Sequence, residues 1–219
     1  MTPFDFSLLV PALGGAIVFA AILSLIGFRL PLVIRGYIFV SFFVGVLAIV
    51  LGQIHGIREL IFVGIAAILV KAIAVPMIIS RTAERCGASM RLTSYIRPTP
   101  TYFVASLLLF VLIFAFRQSP FFADVNQGYL SYVSVTLVLI GFLMMILRKN
   151  IYSQMIGFLI MENGIAVFSI STLDGVPFLI ETGVLSAVLI AALLMTMLSS
   201  HIRQLYGTED TTSLRELID

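Results

Sequence analysis

Seven apolar segments limit the fold of this chain more than any other feature, because each is long enough, or nearly so, to cross a bilayer. They lie at about residues 7–28, 33–54, 59–80, 101–118, 128–147, 151–173 and 178–200. Only helices and closed barrels satisfy their backbone in lipid, and strand-like alternation is absent from these segments. With 60% hydrophobic and 11% charged residues, the sequence predicts an all-α integral membrane protein with seven transmembrane helices.

The arginines and lysines predict the orientation of the helices. If the N-terminus lies outside, two cations fall in the outer segments, Arg58 and Arg117, and ten fall in the cytoplasmic segments. Those ten are Arg29, Arg35, Arg81, Arg85, Arg91, Arg97, Arg148, Lys149, Arg203 and Arg215. Positive loops stay inside, so the N-terminus is expected outside and the C-terminus in the cytoplasm. Asp5 is the only charge before Arg29, so the first span is expected to be retained rather than cleaved.

The chain is expected to fall into two parts that meet in the polar segment 118–127. Residues 1–120 form a four-helix membrane extension, and residues 121–219 form a three-helix domain with a cytoplasmic tail. Residues 148–150 leave almost no loop, so the fifth and sixth helices are expected to be adjacent and antiparallel. The tail after His201 is either a docking segment for a soluble partner or a solvated end.

Few residues are suited to hold a metal or a redox cofactor. The one cysteine, Cys86, excludes a disulfide framework and a thiolate cluster. The two histidines, His55 and His201, are far apart in sequence, and a metal site needs more ligands. We therefore expect no metal and no cofactor, and the net charge of +2 gives no reason to expect a nucleic-acid partner.

Three ionisable residues lie inside the predicted spans: Lys71, Glu162 and Glu181. Glu162 is about 14 residues, or roughly 20 Å of helix, beyond Arg148, which is past the middle of the bilayer. A carboxylate there is costly and usually functional, although a neutral Glu with one interhelical hydrogen bond is the alternative. We expect it to face a neighbouring subunit or a water-filled gap, supported by Asn163 and by Ser169 two turns further on.

Lys71 is about 12 residues into the third helix, near the middle of the membrane. Gly64, Ala67 and Ala74 share its helix face, and small residues favour close helix packing over lipid contact. Pro76 cannot hydrogen-bond the carbonyl four residues back, so it leaves a polar backbone group near the lysine. The alternative is a snorkelling lysine. Glu181, near the outer end of the last helix, is either functional or in contact with interfacial water.

A lysine and a glutamate at mid-membrane are suitable parts for moving protons. Desolvation disfavours the charged form of both groups, whereas pairing restores it. A pair of adjustable separation could therefore load and release a proton. Gly157 and Gly164 lie on a different face of the sixth helix from Glu162, so close packing is expected on one side and the acid on another.

The run RKNIYSQMIGFLIMENG at residues 148–164, followed by IETGVLSAVLIAALLM and a tail with GTED, resembles hydrogenase-4 component E. That family belongs to the membrane arm of formate hydrogenlyase-type and group 4 nickel–iron hydrogenase complexes. The C-terminal part, from about residue 125, resembles subunit K of respiratory complex I. Lys71 and Pro76 match a lysine before a proline in the extension. Where subunit K carries an acid, this chain has Leu159, and Glu162 lies about one turn further on.

The resemblance implies a non-catalytic membrane subunit of a redox-linked pump in a bacterial or archaeal cytoplasmic membrane. Implied partners are antiporter-like large subunits, a membrane anchor subunit, and peripheral hydrogenase-like and iron–sulfur subunits. The subunit would pass protons or sodium ions between neighbouring channels, with Glu162, Lys71 and Glu181 as the transfer sites. Two alternatives are a purely structural scaffold and a small free-standing transporter. A transporter usually has paired broken helices in two related halves, and the halves here do not repeat.

Overall fold

The computed structural model describes residues 6–85, Leu92 and residues 125–171. The elements within these ranges are all helices. They are α1 (Phe6–Ile26), α2 (Leu30–His55), α3 (Arg58–Ala67), the π-helix π1 (Ile68–Ala74), α4 (Val75–Arg85), α5 (Val125–Leu147) and α6 (Ile151–Ser171). Helices α3, π1 and α4 run on without interruption as one span, Arg58–Arg85.

Five helices of the described ranges are long and apolar enough to cross a membrane: Leu8–Ile26, Leu30–His55, Arg58–Arg85, Gly128–Leu147 and Ile151–Ser171. They correspond to the first, second, third, fifth and sixth predicted spans, so the chain is a multi-pass α-helical membrane protein. The other two predicted spans, 101–118 and 178–200, lie outside the described residues. So do the boundary at residues 120/121 between the two predicted parts, and the polar tail.

Two helix boundaries differ from the sequence prediction. Helix α2 begins at Leu30 instead of residue 33, because Pro31 occupies its first turn, where a missing N–H costs nothing. The third span continues to Arg85 instead of residue 80. Arg81 and Arg85 therefore lie on the helix, where it leaves the apolar layer, and not in the connection that follows.

Four of the helices close a ring, and the third span packs outside it. Helix α1 lies between α2 and α5, and α6 lies between α5 and α2. The third span packs on α2 through α3 and π1. Residues Ile17, Leu137, Ile156 and Ile160 are completely buried within the ring. Helix α2 is thus the element that contacts both the third span and α6.

Glycines set the closest contacts between neighbouring helices. A Cβ placed on Gly157 would lie 2.8 Å from the backbone oxygen of Gly141, and one on Gly164 would lie 2.8 Å from the backbone oxygen of Ser134. Both contacts are with α5, so the predicted close-packing face of Gly157 and Gly164 is confirmed. The predicted antiparallel pairing of α5 with α6 across the short connection 148–150 is confirmed as well.

One end of the bundle, which we call the arginine-rich end, is formed by residues 27–29, 81–85 and 148–150. There the guanidinium of Arg148, only 4% exposed, donates hydrogen bonds to the backbone oxygens of Leu25 (2.5 Å) and Gly27 (2.7 Å). These carbonyls end α1, where the helix dipole favours a cation. The side-chain oxygen of Asn150 accepts hydrogen bonds from the backbone N–H groups of Tyr152 (3.0 Å) and Ser153 (3.3 Å), which caps α6.

We expect Arg148→Met to lower the thermal unfolding midpoint of the purified protein. The substitution removes both hydrogen bonds to the end of α1, and a hydrogen bond from a charged group contributes about 1.5–3 kcal/mol. Arg35→Met is the matched control, because Arg35 is exposed near the same end. Equal midpoints for the two variants, measured in one detergent, would contradict a role for Arg148 in anchoring α1.

Candidate functional site

A buried ion pair joins the third span to α6 near the middle of the membrane. The Nζ atom of Lys71 lies 2.6 Å from Oε1 and 2.5 Å from Oε2 of Glu162. Only 3% of Lys71 and 7% of Glu162 is exposed. The ammonium thus contacts both carboxylate oxygens, and the two charges neutralise each other in a setting where either one alone would be strongly disfavoured.

Two further polar side chains extend the pair into α2. The Nζ atom of Lys71 also donates to Oδ1 of Asn163 at 3.3 Å. The amide nitrogen of Asn163 donates to Oγ of Ser41 at 2.9 Å. Asn163 and Ser41 are 0% and 1% exposed. The network therefore links three elements, π1, α6 and α2, through hydrogen bonds that are shielded from lipid.

Tyr37 lies one turn before Ser41 on α2 and is completely buried. Its polar neighbours are Ser41 and Glu162, whose charge is close enough to act on the phenol. No group among the described residues makes a hydrogen bond with the Tyr37 hydroxyl. A buried hydroxyl without a partner is uncommon and needs a physical reason.

The local backbone of Lys71 explains its position. Lys71 is the fourth residue of π1, in which hydrogen bonds run from residue i to residue i−5. A proline in an α-helix clashes with the carbonyl four residues back and has no N–H to offer it, which at Pro76 concerns Ala72. Widening the preceding turn into π geometry relieves this conflict. Such wide turns are frequent at functional sites.

The site lies deep in the bilayer, as two distances from the arginine-rich end indicate. Glu162 is roughly 17 Å along α6 from Ile151, and Ser41 is roughly 17 Å along α2 from Leu30, at 1.5 Å per residue. Each distance is about half of a hydrocarbon core about 30 Å thick. An ionisable pair at this depth, with a supporting amide and hydroxyl, can exchange a proton between a carboxylate and an amine without exposing a bare charge to lipid.

The structure brings three of the five predicted site residues together: Lys71, Glu162 and Asn163. Ser169 is half-buried and lies seven residues beyond Glu162, roughly 10 Å along the helix, which is too far for a direct hydrogen bond between them. Glu181 lies outside the described residues. The expectation that Glu162 faces a neighbouring subunit or a water-filled gap stays a prediction, and within this chain its direct partner is Lys71.

Sequence reasoning missed Ser41 and Tyr37. Ser41 follows a run of apolar residues on α2, and a single serine in a membrane helix usually bonds within its own helix. The available signal was the spacing of the two hydroxyls, because residues four apart share a helix face. The face that carries Tyr37 and Ser41 is the face of α2 that meets α6.

Comparison with known proteins agrees with the resemblance found in the sequence. The family model described as NADH-ubiquinone/plastoquinone oxidoreductase chain 4L matches residues 129–219. The match includes Glu162 and Asn163 but not Lys71, Ser41 or Tyr37. Glu162 thus lies in the part of the chain that matches this family, and Lys71 lies in the part before it.

Several relatives match a longer part of the chain than the family model does. An uncharacterised protein of Mycobacterium tuberculosis is 28% identical over 225 residues, which cover 100% of both chains. The hydrogenase-4 component E proteins of Escherichia coli K12 and Shigella flexneri are 26% identical over 162 residues, 73% of this chain and 74% of theirs. No solved structure matches the chain at a significant level. The resemblance to hydrogenase-4 component E and to subunit K is therefore confirmed at the level of sequence.

Proposed function

We propose that this chain is a non-catalytic membrane-arm subunit of a complex I-related, redox-driven ion pump, in which the Lys71–Glu162 pair transfers ions. The match to chain 4L and the likeness to hydrogenase-4 component E support a membrane subunit of such a complex. The observation that carries the proposal is the buried ion pair itself. Ionisable residues inside a membrane are expensive and mark ion paths in pumps and transporters.

The pair is suited to handing on a proton. In contact, the charges of the Lys71 ammonium and the Glu162 carboxylate compensate each other; when the two separate, a bare carboxylate would be left in the membrane interior unless a proton joins it. Closing the pair again releases that proton. Antiporter-like large subunits, a membrane anchor subunit and a peripheral arm with hydrogenase-like and iron–sulfur subunits would surround this subunit and supply the driving conformational change. Glu181 would extend the path toward the outer face, and sodium ions are the alternative cargo.

A structural scaffold is the second candidate, and one observation favours it. The pair, with Asn163 and Ser41, clamps the third span and α6 to α2, so it would hold the bundle together whether or not ions move. The two roles predict different effects when both charged side chains are replaced by neutral ones. A structural contact needs only side chains that fit each other, whereas ion transfer needs a side chain that can ionise.

The double variant Lys71→Met/Glu162→Gln separates the two roles. It removes both charges together, so the fold keeps no unpaired buried ion, and the complex is expected to assemble. Ion transfer would fall to background in inverted membrane vesicles that carry the assembled complex, as measured by proton or sodium uptake during turnover. Electron transfer by the peripheral arm is the internal control. If the vesicles keep the uptake per electron of the wild-type complex, the proposal of ion transfer is wrong and the structural role remains.

Glu162→Asp is a milder change at the same site. The acid remains, but its reach shortens by one methylene, so the pair with Lys71 weakens without being removed. Uptake is expected to fall only in part. Uptake as low as in the double variant would mean that the carboxylate position matters as much as its presence.

The proposed orientation puts the arginine-rich end in the cytoplasm of a bacterial or archaeal cell, with the N-terminus outside. Six cations of the described residues lie at that end, Arg29, Arg35, Arg81, Arg85, Arg148 and Lys149, and Arg58 lies at the other. A reporter enzyme that is active only in the cytoplasm, fused after Asp219, is expected to be active. Activity of a periplasmic reporter at the same position would contradict this topology.

A further inference from the structure

The Tyr37 hydroxyl is a buried polar group that the ion pair does not use. It is fully enclosed and has no hydrogen-bond partner among the described residues. Ser41, one turn further on the same helix, is bonded by Asn163, the residue next to Glu162, and the charge of Glu162 acts on the phenol. An apolar phenylalanine would fill the same space without that cost, because burying a hydroxyl without a hydrogen bond is unfavourable. The position of the hydroxyl suggests that a second arrangement of the site satisfies it.

We propose that Tyr37 is the alternative hydrogen-bond partner of Glu162, and that its hydroxyl donates to the carboxylate when Lys71 withdraws. The inference rests on the proposed function, in which the pair must open and close. A Glu162 carboxylate that loses Lys71 in the membrane interior has a prohibitive cost unless it takes up a proton and finds another hydrogen-bond donor. Tyr37 keeps its own proton and donates to the carboxyl group that results, so a neutral hydrogen bond replaces an ion pair and no covalent bond of Tyr37 is broken.

Two hydroxyls near the pair can donate, that of Ser41, which already accepts from Asn163, and that of Tyr37, which has no partner among the described residues. The amide nitrogen of Asn163 is engaged with Ser41, and its oxygen can only accept. Lys71 is on π1 and Tyr37 is on α2, so a movement of the third span relative to the ring removes the lysine while the tyrosine stays beside α6. The carboxylate would then pass from one partner to the other without meeting lipid.

Tyr37→Phe tests the exchange, because it removes one oxygen and leaves the ring. In vesicles that carry the assembled complex, ion uptake per electron is expected to fall by up to about tenfold, the effect of losing roughly one hydrogen bond. The thermal midpoint of the purified protein is expected to be unchanged or higher, since an unsatisfied hydroxyl is lost. A purely structural tyrosine would lower the midpoint and leave the uptake ratio unchanged.

Tyr129→Phe is the matched control. The Tyr129 hydroxyl donates to the backbone oxygen of Pro11 at 2.8 Å, away from the pair, so its loss should leave uptake per electron at the wild-type value. In the Lys71→Met/Glu162→Gln background, Tyr37→Phe should have no further effect, because the carboxylate that it serves is gone.

The failures of the two proposals are distinguishable. If Tyr37→Phe keeps full uptake per electron while the Lys71→Met/Glu162→Gln variant loses it, the exchange is overturned and ion transfer by the pair stands. If both variants keep full uptake, both proposals are overturned. A loss of uptake in Tyr37→Phe together with the same loss in Tyr129→Phe would also overturn the exchange, because the effect would not be specific to the group beside Glu162.

Discussion

Replacing either Lys71 or Glu162 alone by a neutral side chain is expected to destabilise the protein by about 3–5 kcal/mol, and replacing both together is expected to cost far less. Each single change leaves the other group buried without its counter-ion. Lys71→Met leaves a carboxylate without a counter-ion among the described residues, and Glu162→Gln leaves an ammonium whose acceptors are neutral amide oxygens such as that of Asn163. The residual group must then ionise at high cost or become neutral.

The measurement is a double-mutant cycle on thermal midpoints, with Lys71→Met, Glu162→Gln and their combination purified in the same detergent. Residues in one buried network typically show coupling of about 0.5–3 kcal/mol, and this pair is expected near or above the upper end. Glu59→Gln is the control, because Glu59 is exposed in the first turn of α3. Additive effects of the two single changes would contradict the close ion pair.

Gly141→Ala is expected to force α5 and α6 apart and to lower stability by about 1–3 kcal/mol or more. The added Cβ would lie 2.5 Å from the backbone oxygen of Gly157 and 2.5 Å from the backbone nitrogen of Met161. Both are backbone atoms, so no side-chain rotation can relieve the clash. Separation of these helices would also move Glu162, which lies on α6 one residue after Met161.

Gly15→Ala is the control for this prediction. A Cβ at Gly15 would meet only the Tyr129 hydroxyl, at 4.0 Å, so space is available. Alanine is a better helix former than glycine by about 1 kcal/mol, and the substitution in α1 should therefore be neutral or stabilising. Equal midpoints for the Gly141→Ala and Gly15→Ala proteins, or a wild-type midpoint for Gly141→Ala, would contradict the close approach of α5 and α6.

The sequence was sufficient for the five spans that the structure describes and for the depth of the two charges, because both follow from length and hydropathy. The short connection at 148–150 also determines that α5 and α6 are neighbours. The contact between Lys71 and Glu162 could not be predicted from length and hydropathy, since the two residues are 91 positions apart in the sequence. Each is deep in the bilayer on its own helix, but which faces meet depends on how α2 packs between those helices.

The third span shows why helical periodicity failed locally. Gly64 and Ala67 are buried as predicted, but Ala74, which α-helical spacing assigns to the same face, is only half-buried. Ala72 is buried instead, five residues after Ala67. The step of five is the spacing of a π-helix, and an assumed 3.6-residue turn assigns every later residue to the wrong side.

The π-helix also has a consequence for insertions and deletions. A π turn holds one more residue than an α turn, so π1 behaves as an insertion of a single residue into an otherwise α-helical span. If residues 68–74 took up α geometry with no residue deleted, α4 would rotate by about 100° relative to α3. Val75, Ile79 and Ala83, which are buried, would then turn away from the bundle. An alignment of this span with a relative whose third helix is α-helical throughout should therefore contain a one-residue gap beside Lys71.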